Sequence, residues 1–307
     1  VTLLAPTPSP TLDPLVTARI QVGAPPVTSR PGRWLRRGGT VFAAAVLAAV
    51  VGGVLLAPVI APEGYDAQEL VDSYAAPSWF GHHPLGTDNL GRDTLARVLY
   101  GGRPALTISV VAALLATVIG LSLALLATLG GRWWDGVLGR LADVQLAIPS
   151  ILLALVVLAF AGSGPVPLVL VLATGGWVLT FRILRAHLGR VVALPYIEAA
   201  RLAGTGAGGL LRRHVLPAAA PLLVVGLTLN FSSVLILESS LGYLGLGVQP
   251  PQPDWGQLVA SGQAQLAGAW WISIVPGIFI VATVVAVQVL GDRLADRLSL
   301  PTTQVRP

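Results

Sequence analysis

Residues 196–217 read YIEAARLAGTGAGGLLRRHVLP, a polar island between long apolar runs. Pro195 suits the first position of a helix, because the N–H it lacks is one that a helix start leaves unpaired anyway. Glu198 falls in the first turn, where the helix dipole favours an anion. Gly204 can take the left-handed conformation that ends a helix. The spacing therefore predicts a helix of about two turns, with Ala199 and Ala200 keeping one face low enough for another surface to approach. Pro217 then opens a new helix that is apolar for about twenty residues, the length of a bilayer span. A short exposed helix held between membrane spans suits a docking element.

Outward from this stretch, the composition is that of a membrane protein. The chain has 307 residues, of which 54% are hydrophobic and 11% charged, with a mean hydropathy of +0.77. A soluble domain carries roughly 25% charged residues. With no cysteine, disulfide frameworks, thiolate metal sites and cysteine nucleophiles are excluded together. All 19 basic residues are arginine. The phosphate-cradling G-x-x-x-x-G-K-[ST] loop needs a lysine to reach the β- and γ-phosphates. If transport is driven by ATP, another polypeptide supplies the motor. Neither a cofactor on this chain nor a nucleic-acid partner is expected.

Three regions are expected: a basic tail over 1–39, a six-span domain over 40–292 and a short tail over 293–307. The tail up to about residue 30 is rich in Pro, Thr, Ala and Ser without apolar periodicity, which predicts disorder. A cleaved signal peptide is not expected, because the apolar core begins only near residue 41. Arg30, Arg33, Arg36 and Arg37 form a basic collar before the first apolar run, and Pro58 and Pro62 mark its exit. The predicted spans are 40–61, 104–129, 142–161, 165–181, 218–237 and 270–290. Loop 63–103 joins the first two. Six spans put both termini on one side, and the loop 182–217 with them. That side carries 16 arginines against three (Arg92, Arg97 and Arg103) on the other, so the positive-inside rule places it in the cytoplasm. Trp133, Trp134, Trp177, Trp270 and Trp271 fall near span ends, as interfacial anchors should.

Three motifs carry a family resemblance. Glu198-Ala199-Ala200, three residues, Gly204 and a closing Leu216-Pro217 resemble the "EAA" loop of ABC-importer permeases, with His214 where an aliphatic residue is usual. In the 63–103 loop, Leu85-Gly86-Thr87-Asp88-Asn89-Leu90-Gly91-Arg92-Asp93 resembles the signature of dipeptide, oligopeptide and nickel permeases. A second signature of that group is similar to LGYLGLGVQPPQPDWGQLVASGQAQ over 241–265, with Tyr243 where phenylalanine is common. The resemblance implies an all-α fold of six transmembrane helices, the transmembrane domain of a type I importer, in the bacterial inner membrane. It implies that Glu198, Ala199, Ala200, Arg201, Gly204, Leu216 and Pro217 form a coupling element seated in a groove of an ATP-hydrolysing subunit. Two such subunits, holding ATP and magnesium, a second related permease and an extracytoplasmic solute-binding protein complete the implied assembly. Di- or oligopeptides are the expected solutes, with nickel or another small solute as the alternative.

Other residues have competing readings. Glu198 and Arg201 stand at i and i+3 and can form a local pair. An ionisable group in or near a span is costly, so Glu238 either faces the pathway or gate or snorkels to the outer interface. Asn230 and Ser233 are the other pathway candidates, although with Ser232 they can equally bond neighbouring helices. In the first loop, Asp88 is expected to cap a turn, with Asp93 and Arg97 as an exposed i,i+4 pair. Arg140 and Asp143 are expected to pair at the interface. His82 and His83 are adjacent without a third ligand at helical or hairpin spacing, so no metal site is expected. The glycines of 204–209 follow a helix, not a strand, and are read as a flexible turn. An ion-coupled secondary transporter would place several ionisable groups within the membrane. An intramembrane enzyme would need H-E-x-x-H or G-x-S-x-G. The chain has neither feature.

Overall fold

The computed structural model of the chain describes residues 33–78 and 81–298. The predicted disordered tail, the Arg30 part of the basic collar and the end of the C-terminal tail lie outside these residues. Among the described residues the fold is helical, relieved only by an antiparallel bridge between Thr87 and Asp93.

Helix α1 (Arg33–Leu55) stops earlier than expected, and a single turn, α2 (Ala57–Ile60), follows with Pro58 at its start. Helix α3 (Thr94–Leu129) begins well before residue 104. Asp93 caps it by accepting the Ala96 N–H at 2.8 Å, so the polar end of the loop is drawn into the helix, and Pro104 is carried inside it. The predicted third span, 142–161, is not a straight helix. It divides into α4 (Arg132–Ala147) and α5 (Ser150–Ala161), which meet at 85°. Pro149 is the cause: the residue before a proline is driven out of the helical region, and Ile148 is extended at φ −100°, ψ 121°. At 12 residues, α5 is about 18 Å long, too short to cross alone.

Next come α6 (Pro165–Val192), which runs past the expected residue 181, and α7 (Pro195–Leu202). A short α8 (Ala207–Leu210) and a wide turn over Leu211–Val215 lead into α9 (Leu216–Tyr243). Helices α10 (Trp255–Gly262) and α11 (Trp271–Leu298) are the last among the described residues. Among the described residues five helices are long and apolar enough to cross a membrane, or six if the bent α4–α5 pair counts as one span.

The core forms where α3 packs along α6, with α9 against both and α11 against α9. Gly120 permits the first of these contacts, since a Cβ there would lie 2.7 Å from the Trp177 carbonyl oxygen. The wall around this core is apolar and exposed, as in Val118, Phe160, Val166 and Val281, which suits lipid or another apolar subunit.

Two expected surface roles become packing roles. Trp177 is buried and donates its indole N–H to Gln145 Oε1 at 2.7 Å. Trp271 is buried and donates to the Thr87 carbonyl at 3.0 Å. Trp133, Trp134 and Trp270 are exposed, as anchors require. Asp143 pairs with Arg182 of α6 instead of with Arg140, and Asp135 holds Arg185 through two bonds of 2.5 and 2.7 Å. Both pairs tie α4 to α6 near the end of the bundle that carries α7.

Candidate functional site

Helix α7 is held by its neighbours in sequence and by a few buried side chains. Pro195 starts it and Glu198 lies in its first turn. At its end the Gly204 N–H donates to the Arg201 carbonyl and the Thr205 N–H to the Ala200 carbonyl, both at 3.0 Å. This is a Schellman cap, and it needs a residue in the left-handed region at Gly204, which has φ +81°. Ile197, Leu210 and Val215 are buried and anchor the segment to the bundle. Glu198, Ala199, Arg201 and Gly204 are exposed and Ala200 is half-buried. Pro217 is exposed in the first turn of α9, beside a half-buried Leu216.

Among the described residues, Glu198 and Arg201 form no ion pair with each other; both point outward. His214 stacks obliquely on Tyr196, with ring centroids 5.8 Å apart. The imidazole thus fills, against the start of α7, a place expected to be aliphatic. Leu202 is 85% exposed at the tip of the helix, one turn beyond Glu198 on the same face. The sequence signal for it is an apolar residue closing a polar helix.

The pathway candidates all lie on α9, beyond this segment. Asn230 is buried and donates to Thr117 Oγ1 at 3.1 Å and Thr180 Oγ1 at 2.9 Å, joining α9 to α3 and α6. Ser232 donates to the Thr228 carbonyl at 2.9 Å and accepts from Gln288 Nε2 at 3.0 Å. Ser233 is exposed. Glu238 is fully buried, which removes the snorkelling alternative.

Asp254 is also fully buried and packs against the same end of α9, and Glu238 Oε1 and Asp254 Oδ1 are each without a hydrogen-bond partner. Two carboxyl groups buried without a cation are least costly when a proton is kept. Asp254 also caps α10 through the Gln257 N–H at 3.4 Å. Burial pushes its carboxyl above the ordinary carboxylate range, against the opposing hydrogen bond from the Gln257 N–H. The glycines of the 241–265 stretch make this approach possible: a Cβ on Gly242 would lie 2.0 Å from Asp254 Oδ2, and one on Gly256 would lie 2.0 Å from the Ser239 carbonyl. Trp255 is buried and completes the joint by donating to the Val98 carbonyl at 2.8 Å.

The 63–103 loop is more tightly built than its charges suggest. Asp88 caps its turn as expected, with Oδ1 accepting the N–H groups of Leu90 at 2.8 Å and Arg92 at 3.0 Å. Its Oδ2 takes Arg92 Nε at 2.7 Å and Arg97 Nη1. Arg97 is buried, so the expected exposed pair with Asp93 does not form. Asp93 instead holds the Ala96 N–H and His83 Nδ1.

The chain thus has a short exposed helix at one end of an apolar bundle and a tightly bonded loop layer at the other. Residues 116–300 match the family described as the binding-protein-dependent transport system inner membrane component. The chain belongs to that family. A putative peptide permease protein of Brucella suis biovar 1 (strain 1330) is 35% identical over 88% of this chain and 90% of its own length. The di/tripeptide transport system permease protein of Pseudomonas aeruginosa (strain UCBPP-PA14) is 37% identical over 85% of this chain and 86% of its own. In fold, this permease is similar to a chain of the inward-facing MetNI methionine ABC transporter, with TM-score 0.57 at 20% identity over 66% of this chain and 97% of that one. The protein is thus a multi-pass ABC-transporter permease and a transport subunit, not an enzyme. Sequence reasoning did not find Leu202 or Asp254 for this permease. The sole hint at Asp254 was its capping position before the Trp255 helix.

Proposed function

We propose that this permease imports di- or oligopeptides, and that α7 is the element through which two separate ATPase subunits, holding ATP and magnesium, drive it. The observation that carries the coupling role is the Schellman-capped α7, which projects Glu198, Ala199, Arg201 and Leu202 from the end of an apolar bundle. A rigid two-turn helix fixed at Ile197 transmits a push to α6 and α9, where a floppy loop would absorb it. The peptide assignment draws on the relatives' names and on the two loop signatures. In this reading a second related permease completes the pathway, and a solute-binding protein delivers cargo to the 63–103 and 241–265 layer. Both termini lie in the cytoplasm, in line with the arginine distribution. Of the three pathway candidates, Ser233 stands on an open face that passing solute can touch, while Asn230 and Glu238 hold the helices of one subunit together.

Gly204→Asp tests the coupling. It forces a charged side chain onto a left-handed backbone while leaving the spans unaltered. The variant is expected to insert at wild-type levels, to lose copurifying ATPase subunits and to lose peptide uptake. Wild-type uptake with the ATPase still bound would refute the coupling role.

A further inference from the structure

The loop between α1 and α3 holds a cluster of side chains that neither coupling nor the pathway uses. His83 Nδ1 lies 2.9 Å from Asp93 Oδ2, and the other oxygen of Asp93 is occupied by the Ala96 N–H. An ionised carboxylate only accepts. Nδ1 therefore carries a proton, which leaves Nε2 as the ring nitrogen that can offer a lone pair to a metal. That nitrogen is buried and without a hydrogen-bond partner. It faces Asp72 Oδ2 at 3.7 Å, too far for an N–H to bond well but close to the separation of about 3.4 Å between neighbouring ligands of a tetrahedral zinc ion. Glu69 supplies a third donor: one ligand atom each from Glu69, Asp72 and His83 all lie within 4.8 Å of one another. They border a pocket of about 430 Å³.

The two carboxylate residues are set by the backbone, not left to wander. Gly91, at φ +69°, lets the chain pass so close that a Cβ there would lie 1.8 Å from the Glu69 carbonyl oxygen. Thr87 Oγ1 donates to the Asp72 carbonyl, and Ser73 Oγ donates to the Asn89 carbonyl at 3.2 Å. The pair Asp93–His83 repeats the arrangement in which a carboxylate orients a histidine and raises its basicity toward a metal. Residues 69 and 72 are not in helical or hairpin register with residue 83, so the third ligand was invisible in the sequence.

We propose that Glu69, Asp72 and His83 form a binding site for a divalent transition ion of the zinc type, with Asp93 as the positioning residue. One imidazole and two carboxylates suit zinc, and three protein ligands leave one position open toward the pocket. The site pins the 69–72 turn to the start of α3.

Isothermal titration of the tag-free, metal-stripped full-length chain in detergent with zinc chloride tests this. One saturable equivalent is expected. His83→Ala and Asp72→Asn should each weaken binding more than tenfold. Asp93→Asn should weaken it by about 10–100-fold, the usual effect of losing an orienting carboxylate, with the stoichiometry kept. His82→Ala, on the same pocket wall but outside the ligand set, should bind like wild type. No saturable binding, equal binding by His83→Ala, or equal losses at His82 and His83 would overturn the site. X-ray absorption on the zinc-loaded wild type needs no variant to fold: one imidazole in an N/O shell is expected, and two or more would overturn the assignment.

Discussion

At the α7 end, Glu198, Arg201 and Leu202 reach outward with no partner among the described residues. At the opposite end, Asp88 and Arg97 are 2% and 6% exposed, and indole N–H groups from Trp255 and Trp271 reach carbonyls far away in sequence. Local backbone rules shape the first region: a proline start, a Schellman end and three buried anchors. Long-range polar contacts shape the second, and each would be costly to leave unmade. In the proposed coupling role α7 meets and releases a partner, and a surface that does so gains by owing its shape to itself. A layer that closes the bundle does well to be tied to everything around it.

The sharpest way to break this contrast is to remove one charge from each end. Asp88→Ala leaves Arg97 buried without its carboxylate, a change that costs about 3–5 kcal/mol in comparable pairs. Glu198→Ala removes an exposed group and should stay within about 0.5 kcal/mol. Thermal unfolding of the two purified variants should show a large drop for the first and almost none for the second. Equal melting temperatures would mean that the loop layer is no more interlocked than α7. A smaller effect separates two glycines with similar backbones. A methyl group on Gly204 would meet nothing within 4 Å, whereas one on Gly91 would collide with the Glu69 carbonyl. Gly204→Ala should therefore cost only the left-handed strain, about 1–2 kcal/mol, and Gly91→Ala clearly more. Equal costs would show that the loop gives way at Gly91.

The contrast also explains what could be read in the sequence. The α7 segment was legible because helix starts and caps are local: Pro195, Glu198 and Gly204 do in the structure what their spacing predicts. The apolar runs located the spans for the same reason, except where Pro149 breaks a continuous run into α4 and α5. That break was signalled by the proline and masked by the hydropathy around it. The loop layer was opaque because its partners are set by the fold. Asp93 and Arg97 look like an i,i+4 pair only if both lie on the helix. Asp93 is instead the cap, with one oxygen held by Ala96 and the other by His83. Nothing in the spacing joins Glu238 to Asp254, or Glu69 and Asp72 to His83.

The smallest expected effect concerns the joint between α9 and α10. Asp254 keeps its proton to higher pH in the folded chain than a free carboxyl does, because burial disfavours its charged form. The folded state then binds more protons than the unfolded one. Stability is accordingly greatest below the unfolded value of about 4 and declines as pH rises toward the folded value, beyond which it levels off. Asp254→Asn retains a side-chain acceptor for the α10 cap, at which asparagine and aspartate are nearly equivalent, and cannot ionise. Melting temperatures of wild type and variant measured upward from about pH 4 should converge at the acid end and separate with rising pH, the variant becoming the more stable. Parallel curves would mean that burial makes the Asp254 carboxyl no harder to ionise than a free one, and that close glycine packing alone holds this end of the bundle shut.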